Sequence, residues 1–517
     1  MWLHLSRRSH ERSGILHEKS LIIIGAGLAG LSAGCYAQMN DYQSHIFEHH
    51  SKPGGLAAAW RRGEYLIDGG IHFLIAHRPG SAIYDVYREL GAVQTTTCVD
   101  MDRYMRFVDE ASGLKVDFTR DLDKLASDLK RISPDDAKAV DAFIGEARRL
   151  KDSPLLMDLG MALPPELKGK LGTLREIWAM RGFMKYFVGG YSKSAAEYAR
   201  TMHNPFTRVM FENLFSPDGP AWFIIMIVAT VAAGQLGLLE GGCPGFILPI
   251  EKRYKDLGGQ VSYNSTVETV LVENNKAVGV RLEDGTEHKA DIVVSAADGR
   301  STIFKMLGGR YINDGVRKQY SNWRTYSPTV MMSFGARRTF PDDPPLNMFL
   351  LKHPLKLGSR EISCLPLRVF NYSDKFAPQG KTVIQVMLET EWDYWDRLVK
   401  DRPKYEAEKE RVAAEVLSRL EEHYPGIESQ VEMTDVATPQ TTWRYTLNHE
   451  GSPMGWLMTA ETLMAQVPRS LPGLKDFYMA GQWVLPGGGV PSCIYSGRHV
   501  VQILCHRDGR FFHTFFP

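Results

Sequence analysis

Cysteine is scarce. Six cysteines in 517 residues, at positions 35, 98, 243, 364, 493 and 505, include no C-x-x-C pair. That argues against a disulfide framework or a zinc site and suits a reducing compartment. Charge of one sign is missing too. Lys and Arg total 61 against 60 Asp and Glu, a net charge of +1, so the basic excess of a nucleic-acid binder is absent and no nucleic acid is expected as a partner. No Ser-His-Asp order, H-E-x-x-H, P-loop or metal-ligand spacing is visible, and no metal is expected. There is no internal repeat or low-complexity linker. With 44% hydrophobic and 23% charged residues, the composition is that of an ordinary soluble chain. Length alone suggests about three domains.

Two segments raise a membrane or targeting question. The first 20 residues are polar and basic, with Arg7 and Arg8 adjacent. A twin-arginine signal needs a separate apolar region and a small-residue cleavage site, and the next apolar run offers neither; the leader reads as an extension. Residues 221–239, AWFIIMIVATVAAGQLGLL, are uncharged and meet the usual spanning length of about 18 residues. Thr230, Gly234, Gln235 and Gly237 dilute the run's second half, which favours a buried helix lining an apolar cavity.

What is present begins at residues 21–34, LIIIGAGLAGLSAG. Four β-formers lead into the G-x-G-x-x-G pattern of Gly25, Gly27 and Gly30. Small and apolar residues follow as a helix, and HIFEHH (45–50) follows as a second strand ending at Glu48. In such a βαβ unit the first glycine makes the tight turn, the second admits a pyrophosphate to the backbone, and the third lets helix and strand approach. The helix N-terminus turns its free amides and positive dipole end to the phosphates. Glu48 lies at roughly the 20-residue distance of a ribose-hydroxyl ligand. A carboxylate there repels a 2′-phosphate, so the ligand is NAD-like or FAD-like. Further along, residues 258–297 alternate apolar and polar with turns at Asn274-Asn275 and Asp284-Gly285, a strand-and-hairpin signature. A charged amphipathic helix is predicted near 403–423, with one face packed.

Three motifs in order resemble one family. PGGLAAAWRRGEYLIDGGIHFL (53–74) resembles the segment that follows the dinucleotide fingerprint in the amine oxidase and carotenoid desaturase superfamily of flavoproteins. FYMAGQWVLPGGGVPSCIYSGRHVVQ (477–502) is similar to the closing FAD motif of the phytoene desaturase and carotenoid isomerase branch, and the middle segment 244–298 fits as well. The resemblance implies FAD as cofactor and a mixed α/β (α+β) fold. Its Rossmann-like FAD-binding domain would be assembled from residues 20–75, 241–300 and 455–505, interleaved with a substrate domain of mixed sheet and helices from 76–240 and 301–454.

It also implies roles. Gly25, Ala26, Gly27, Leu28, Ala29 and Gly30 would hold the pyrophosphate, and Glu48 with His49 the adenosine ribose. Gly54, Gly55 and Leu56 would run past the ribityl chain, and Val267 would meet adenine. Ala296, Gly481 and Gln482 would lie along the ribityl phosphate. Gly70, Ile71 and His72 would stand beside the isoalloxazine, and Val490, Pro491 and Ser492 near its pyrimidine end at a helix N-terminus. Leu56 stands where many relatives have arginine, and Gln482 where many have an acid.

The expected reaction is hydride transfer to or from flavin N5 on a C–C or C=C bond of a long apolar substrate: a polyene, isoprenoid or lipid. Oxygen or a quinone would serve as electron acceptor. His72 is the candidate catalytic residue, with a pKa near ~6.5 as a proton donor or acceptor, or else a structural histidine. Trp222 is a candidate tunnel residue, with ordinary core as the alternative. Arg444, beside Trp443 and Tyr445 where the family places substrate-facing strands, is a candidate carboxylate anchor or a structural ion pair. Residues 168–187 interleave basic and large apolar side chains as an interfacial helix does, and the tail RFFHTFFP (510–517) offers a second contact; a partner-chain interface competes for both. The expected location is cytoplasmic, with peripheral contact on the inner face of a membrane. Two alternatives stand: a flavin amine oxidase, against which the Pro-Gly-rich closing turn speaks, and a non-catalytic flavin-binding carrier or scaffold.

Overall fold

The structure, a computed structural model, describes residues 19–153, 161–169, 181–183, 185–186, 189–463, 465 and 467–517. The leader and most of the interfacial segment 168–187 lie outside the described residues. The first strand, Ser20–Ile24, sits in the middle of a five-stranded parallel sheet. Gln43–Phe47 and then Gln260–Ser262 lie on one side, and Ile292–Ser295 and then Phe477–Met479 on the other. One sheet therefore joins three widely separated parts of the chain.

The apolar run of the first strand follows from burial on both faces. Leu21 and Ile23 enter one core with the helices Leu28–Met39, Gly242–Asp256 and Gly489–Arg507. Ile22 and Ile24 enter another, with the three-stranded antiparallel sheet Val267–Glu273, Lys276–Leu282 and Glu287–Lys289. The predicted hairpin turns are there: Asn274 and Asn275 have φ of 50° and 59°, and Gly285 has 86°.

Small residues let the helices approach. A Cβ on Gly34 would stand 2.7 Å from the Tyr254 ring, and one on Gly497 2.4 Å from the Ala29 carbonyl oxygen. The closing helix Gly489–Arg507 thus lies directly against the first helix.

A second, seven-stranded sheet faces the first across a cleft. Its order is Val431–Ala437, Thr329–Ala336, Thr382–Glu389, Arg360–Val369, Leu346–Leu357, Arg103–Asp109 and Lys115–Thr119. The charged helix Arg402–His423 covers one face with Val412, Ala413, Val416 and Leu420. The uncharged 221–239 run divides into a buried helix, Ala221–Ala232, and a strand, Leu236–Leu239, paired with Leu74–Ile75 and Cys98–Asp100. Among the described residues no helix is long and apolar enough to cross a membrane.

The C-terminal tail is docked on its own chain. Asn40 accepts from the His513 amide at 2.7 Å and donates to its carbonyl at 3.0 Å. Arg88 lies 3.9 Å over Phe516 and Arg253 5.0 Å over Phe515. Only Phe511 is almost fully exposed, at 85%. Phe515 and Phe516 are also exposed, at 48% each, so the tail presents apolar rings while cation–π and main-chain contacts hold it to the chain.

Gly497→Ala should destabilise the fold by about 1–3 kcal/mol, since its methyl meets backbone that cannot yield. Urea unfolding of variant and wild type measures this; an unchanged midpoint would show that the two helices can separate freely.

Candidate active site

The glycine turn is built as its sequence demands. Gly25, at φ 99°, occupies a left-handed conformation that favours glycine. Its amide donates to the Phe47 carbonyl at 2.8 Å, tying the turn to the neighbouring strand. A Cβ on Gly30 would fall 1.9 Å from the Gly25 carbonyl oxygen, so only glycine lets the helix start so close. Gly27 differs. Its φ of −69° and ψ of 177° suit any residue. The nearest protein atom to a Cβ there is the Gly54 carbonyl oxygen at 4.0 Å. The space above Gly27 is left open, and no side chain caps the helix it precedes. Those uncapped amides fit a phosphate.

Glu48 locks this turn. One carboxylate oxygen accepts from the Ala26 amide at 2.6 Å and the other from the His50 amide at 2.8 Å. Burial raises its pKa and the two amides oppose that rise. His49 takes Thr266 at Nδ1 and donates from Nε2 to the Arg444 carbonyl at 3.0 Å.

The turn opens into a cleft of about 1480 Å³ between the two large sheets. The candidate cofactor and substrate residues read from the sequence all line it except Ala26 and Gly30, which pack beneath the turn. At the far wall the turn Gly487, Gly488 and Gly489, with φ of 91°, 60° and 86°, leads into the uncapped start of the helix Gly489–Arg507. Val490, Pro491 and Ser492 stand in its first turn. Gly481 donates to Ser496 of the same helix at 2.6 Å. Trp222 and Phe223 reach the cleft from the buried helix Ala221–Ala232.

Two expectations are corrected. Trp443, Arg444 and Tyr445 belong to a helix, Pro439–Thr446, not to strands. The Arg444 backbone meets His49 beside Glu48, and its guanidinium lies 4.8 Å over Tyr445. His72 does not keep an ordinary pKa: burial first, then the nearby Arg368 cation, push it well below 6.5. Its Nε2 is buried without a partner among the described residues. It is therefore a neutral imidazole at physiological pH, ready for one hydrogen bond to a ligand.

The sequence reading missed two polar residues of the cleft, Asp298 and Arg368, and took Asp68 only as part of the Asp-Gly-Gly motif that follows the dinucleotide fingerprint. Asp298 accepts from the amides of Ser301 at 2.7 Å and His449 at 2.9 Å. Asp68, 2% exposed, accepts from the Cys243 amide at 3.2 Å and so caps the helix Gly242–Asp256 from outside. Arg368 lines the cleft beside His72. Its signal was the alternation in REISCLPLRV, which puts Ile362, Cys364, Pro366 and Arg368 on one face of a strand.

A parallel nucleotide-binding sheet with its phosphate turn, opening on a long apolar cleft, defines a flavoprotein oxidoreductase. The sequence profile of the flavin containing amine oxidoreductases matches residues 28–505, and the chain belongs to that family. It is an FAD-dependent enzyme, and the open Gly27 cradle fits that cofactor. Similar proteins include a chloroplastic prolycopene isomerase of Arabidopsis thaliana, 23% identical over 92% of this chain and 81% of the relative. A lycopene-forming phytoene desaturase of a Paracoccus species is 23% identical over 94% of this chain and 97% of the relative. Among solved structures, an oxidoreductase from Methanosarcina mazei aligns with a TM-score of 0.62 at 16% identity, covering 93% of this chain and 100% of that one. Putrescine oxidase bound to putrescine aligns at 0.57 and 14% identity, covering 95% and 99%.

Burial pushes Asp68 up to about 6 from an ordinary 3.8. The folded chain then binds a proton that the unfolded chain releases. Stability from this group is present below the lower value and is lost as pH rises through the upper one. Asp68→Asn should flatten the fall in unfolding free energy across that window, which is at most about 1.4 kcal/mol per pH unit. Parallel slopes for wild type and variant in urea titrations would refute this.

Proposed function

We propose that the chain oxidises, reduces or isomerises C–C and C=C bonds of a long apolar polyene or isoprenoid. The observation that carries this is the cleft itself. Beyond the nucleotide turn its walls are mainly apolar: Met348 and Leu346, Ile362, Cys364 and Pro366, Met387, and Trp222 and Phe223 from the facing helix. Relatives named as prolycopene isomerase and phytoene desaturase support the same substrate class.

FAD, when bound, supplies the two-electron exchange with the substrate. The chain supplies the rest. Amides of the turn from Gly25 to Gly30 hold the diphosphate, and Glu48 and His49 face the ribose. Val267 meets the adenine. Gly54, Gly55, Leu56, Ala296, Gly481 and Gln482 flank the middle of the cofactor. Gly70, Ile71 and His72 would stand beside its ring, and the helix start at Val490, Pro491 and Ser492 would offer the ring positive dipole. The apolar walls keep water out, and the strand rows align the chain. His72, held neutral, orients by one hydrogen bond rather than by charge.

The residues of the five-stranded sheet and its attachments (20–75, 241–300 and 455–505) act as the FAD-binding unit, and 76–240 with 301–454 as the substrate unit. Oxygen or a quinone takes the electrons. A substrate this apolar favours work at the inner face of a membrane, held peripherally.

Two measurements test this. Purified protein should be yellow, and Gly27→Val should fold normally by circular dichroism yet bind FAD about 100-fold more weakly, a loss of ~2.8 kcal/mol. Normal flavin content in that variant would refute the cradle. Anaerobic addition of a carotenoid or polyprenoid in detergent should bleach the flavin. Bleaching by a primary amine alone would select amine oxidation instead, and no bleaching by either would favour a carrier.

A further inference from the structure

The strand Arg360–Val369 runs along the cleft as a graded row. Arg360 at one end, then Ile362, Cys364 and Pro366, then Arg368 line the cavity, with Glu361 and Ser363 joining them near the Arg360 end. The two arginines are not alike. Arg360 is paired, with Glu389 at 2.8 Å, and it donates to Ser327 at 3.2 Å. Arg368 has no hydrogen-bond or ion-pair partner among the described residues. It stands on the wall between the main cleft and a small side pocket formed with Leu238, Pro345, Phe370 and Tyr372.

An arginine stays charged at any physiological pH. A cation enclosed without a counter-ion is unfavourable unless something completes it. The nearest acid, Asp68, is turned to the Cys243 amide and lies beyond ion-pair distance of Arg368. Tyr104 and Tyr372 flank the guanidinium, and burial raises both phenols, so each keeps its proton and can donate it to an acceptor. The unpartnered Nε2 of His72 lies on the same wall. One fixed positive charge and several hydroxyl or imidazole groups thus surround one end of an otherwise apolar row. From Ile362 to Arg368 that row measures roughly 20 Å at ~3.3 Å per residue.

We infer that the substrate is an amphipathic chain, not a plain hydrocarbon: a long apolar tail along Ile362, Cys364 and Pro366, ending in a carboxylate that Arg368 binds. The inference rests on the apolar-chain reading above and narrows it. It moves the carboxylate anchor expected at Arg444, on the helix Pro439–Thr446, to a residue on a strand of the seven-stranded sheet. Arg368 is on this account a specificity-determining residue. A bidentate guanidinium–carboxylate contact replaces water lost by both groups, and a chain without the acid would leave the cation unpaired.

The test uses the FAD-loaded protein with palmitate and hexadecanol as probes of equal length. Binding is followed both by perturbation of the visible flavin band and by calorimetric heat. Wild type should bind palmitate about tenfold or more tighter than the alcohol, as a charge-assisted pair requires. Arg368→Met should erase that preference, and Arg368→Lys should keep part of it. Equal affinities in wild type, or a preference that survives in folded Arg368→Met, would overturn the inference. Should that variant not fold, Arg368→Gln replaces it under the same criterion. A chain that carries no flavin would sink the oxidoreductase reading alone, because the heat of palmitate against hexadecanol still decides the anchor.

Discussion

Glu48 accepts the amides of Ala26 and His50, and the rest of the site depends on that clasp. The carboxylate fixes the turn from below. The amides of the following helix then point outward, uncapped, over the open face of Gly27. An apolar residue at 48 would leave the Ala26 amide without its acceptor inside a buried turn. The penalty for a buried unpaired amide, about 1–3 kcal/mol, would fall on the segment that positions the cofactor.

From that turn outward the molecule is a sandwich with a cavity between its layers. The parallel sheet is covered by helices on one side and by an antiparallel hairpin sheet on the other. The seven-stranded sheet turns one face to the helix Arg402–His423 and offers apolar rungs to the cleft. The charged and imidazole side chains of the cleft include Glu48 and His49 beside the nucleotide turn, His72 and Arg368 on the wall shared with the side pocket, and Asp298 and Arg360 elsewhere. Apolar side chains thus make up much of the cleft wall, with hydrogen-bonding groups such as His72 set among them.

Much of this was legible in the sequence, for reasons that are local. The four β-formers before Gly25 and the alternation through 258–297 are short-range signals, and the elements stand where those signals put them. Gly30 is legible from the fingerprint itself, whereas Gly34 and Gly497 are legible as close-packing positions only once their partners are known, since Tyr254 and Ala29 lie far away in sequence. The same distance hid Arg368. In REISCLPLRV its phase marks it as inward-facing, but nothing nearby shows that no acid would meet it. His72 was legible as a cleft residue, and its protonation was not, because burial and Arg368 set that through space. Arg444 misled because the family resemblance places strands there, while Pro439 and the capping box of Thr438 and Thr441 start a helix.

The order of strands in the parallel sheet has a consequence for how the protein comes into being. Its central strand is made first, yet one neighbour, Ile292–Ser295, and the outer strand Phe477–Met479 arrive late, as does the helix bearing Gly497. Long-range parallel pairing of this kind is slow. A nascent chain on the ribosome carries the phosphate turn for most of its synthesis without the walls that would retain a coenzyme. The cleft that would enclose FAD is whole only when the strand Phe477–Met479 and the helix Gly489–Arg507 have closed onto the earlier segments.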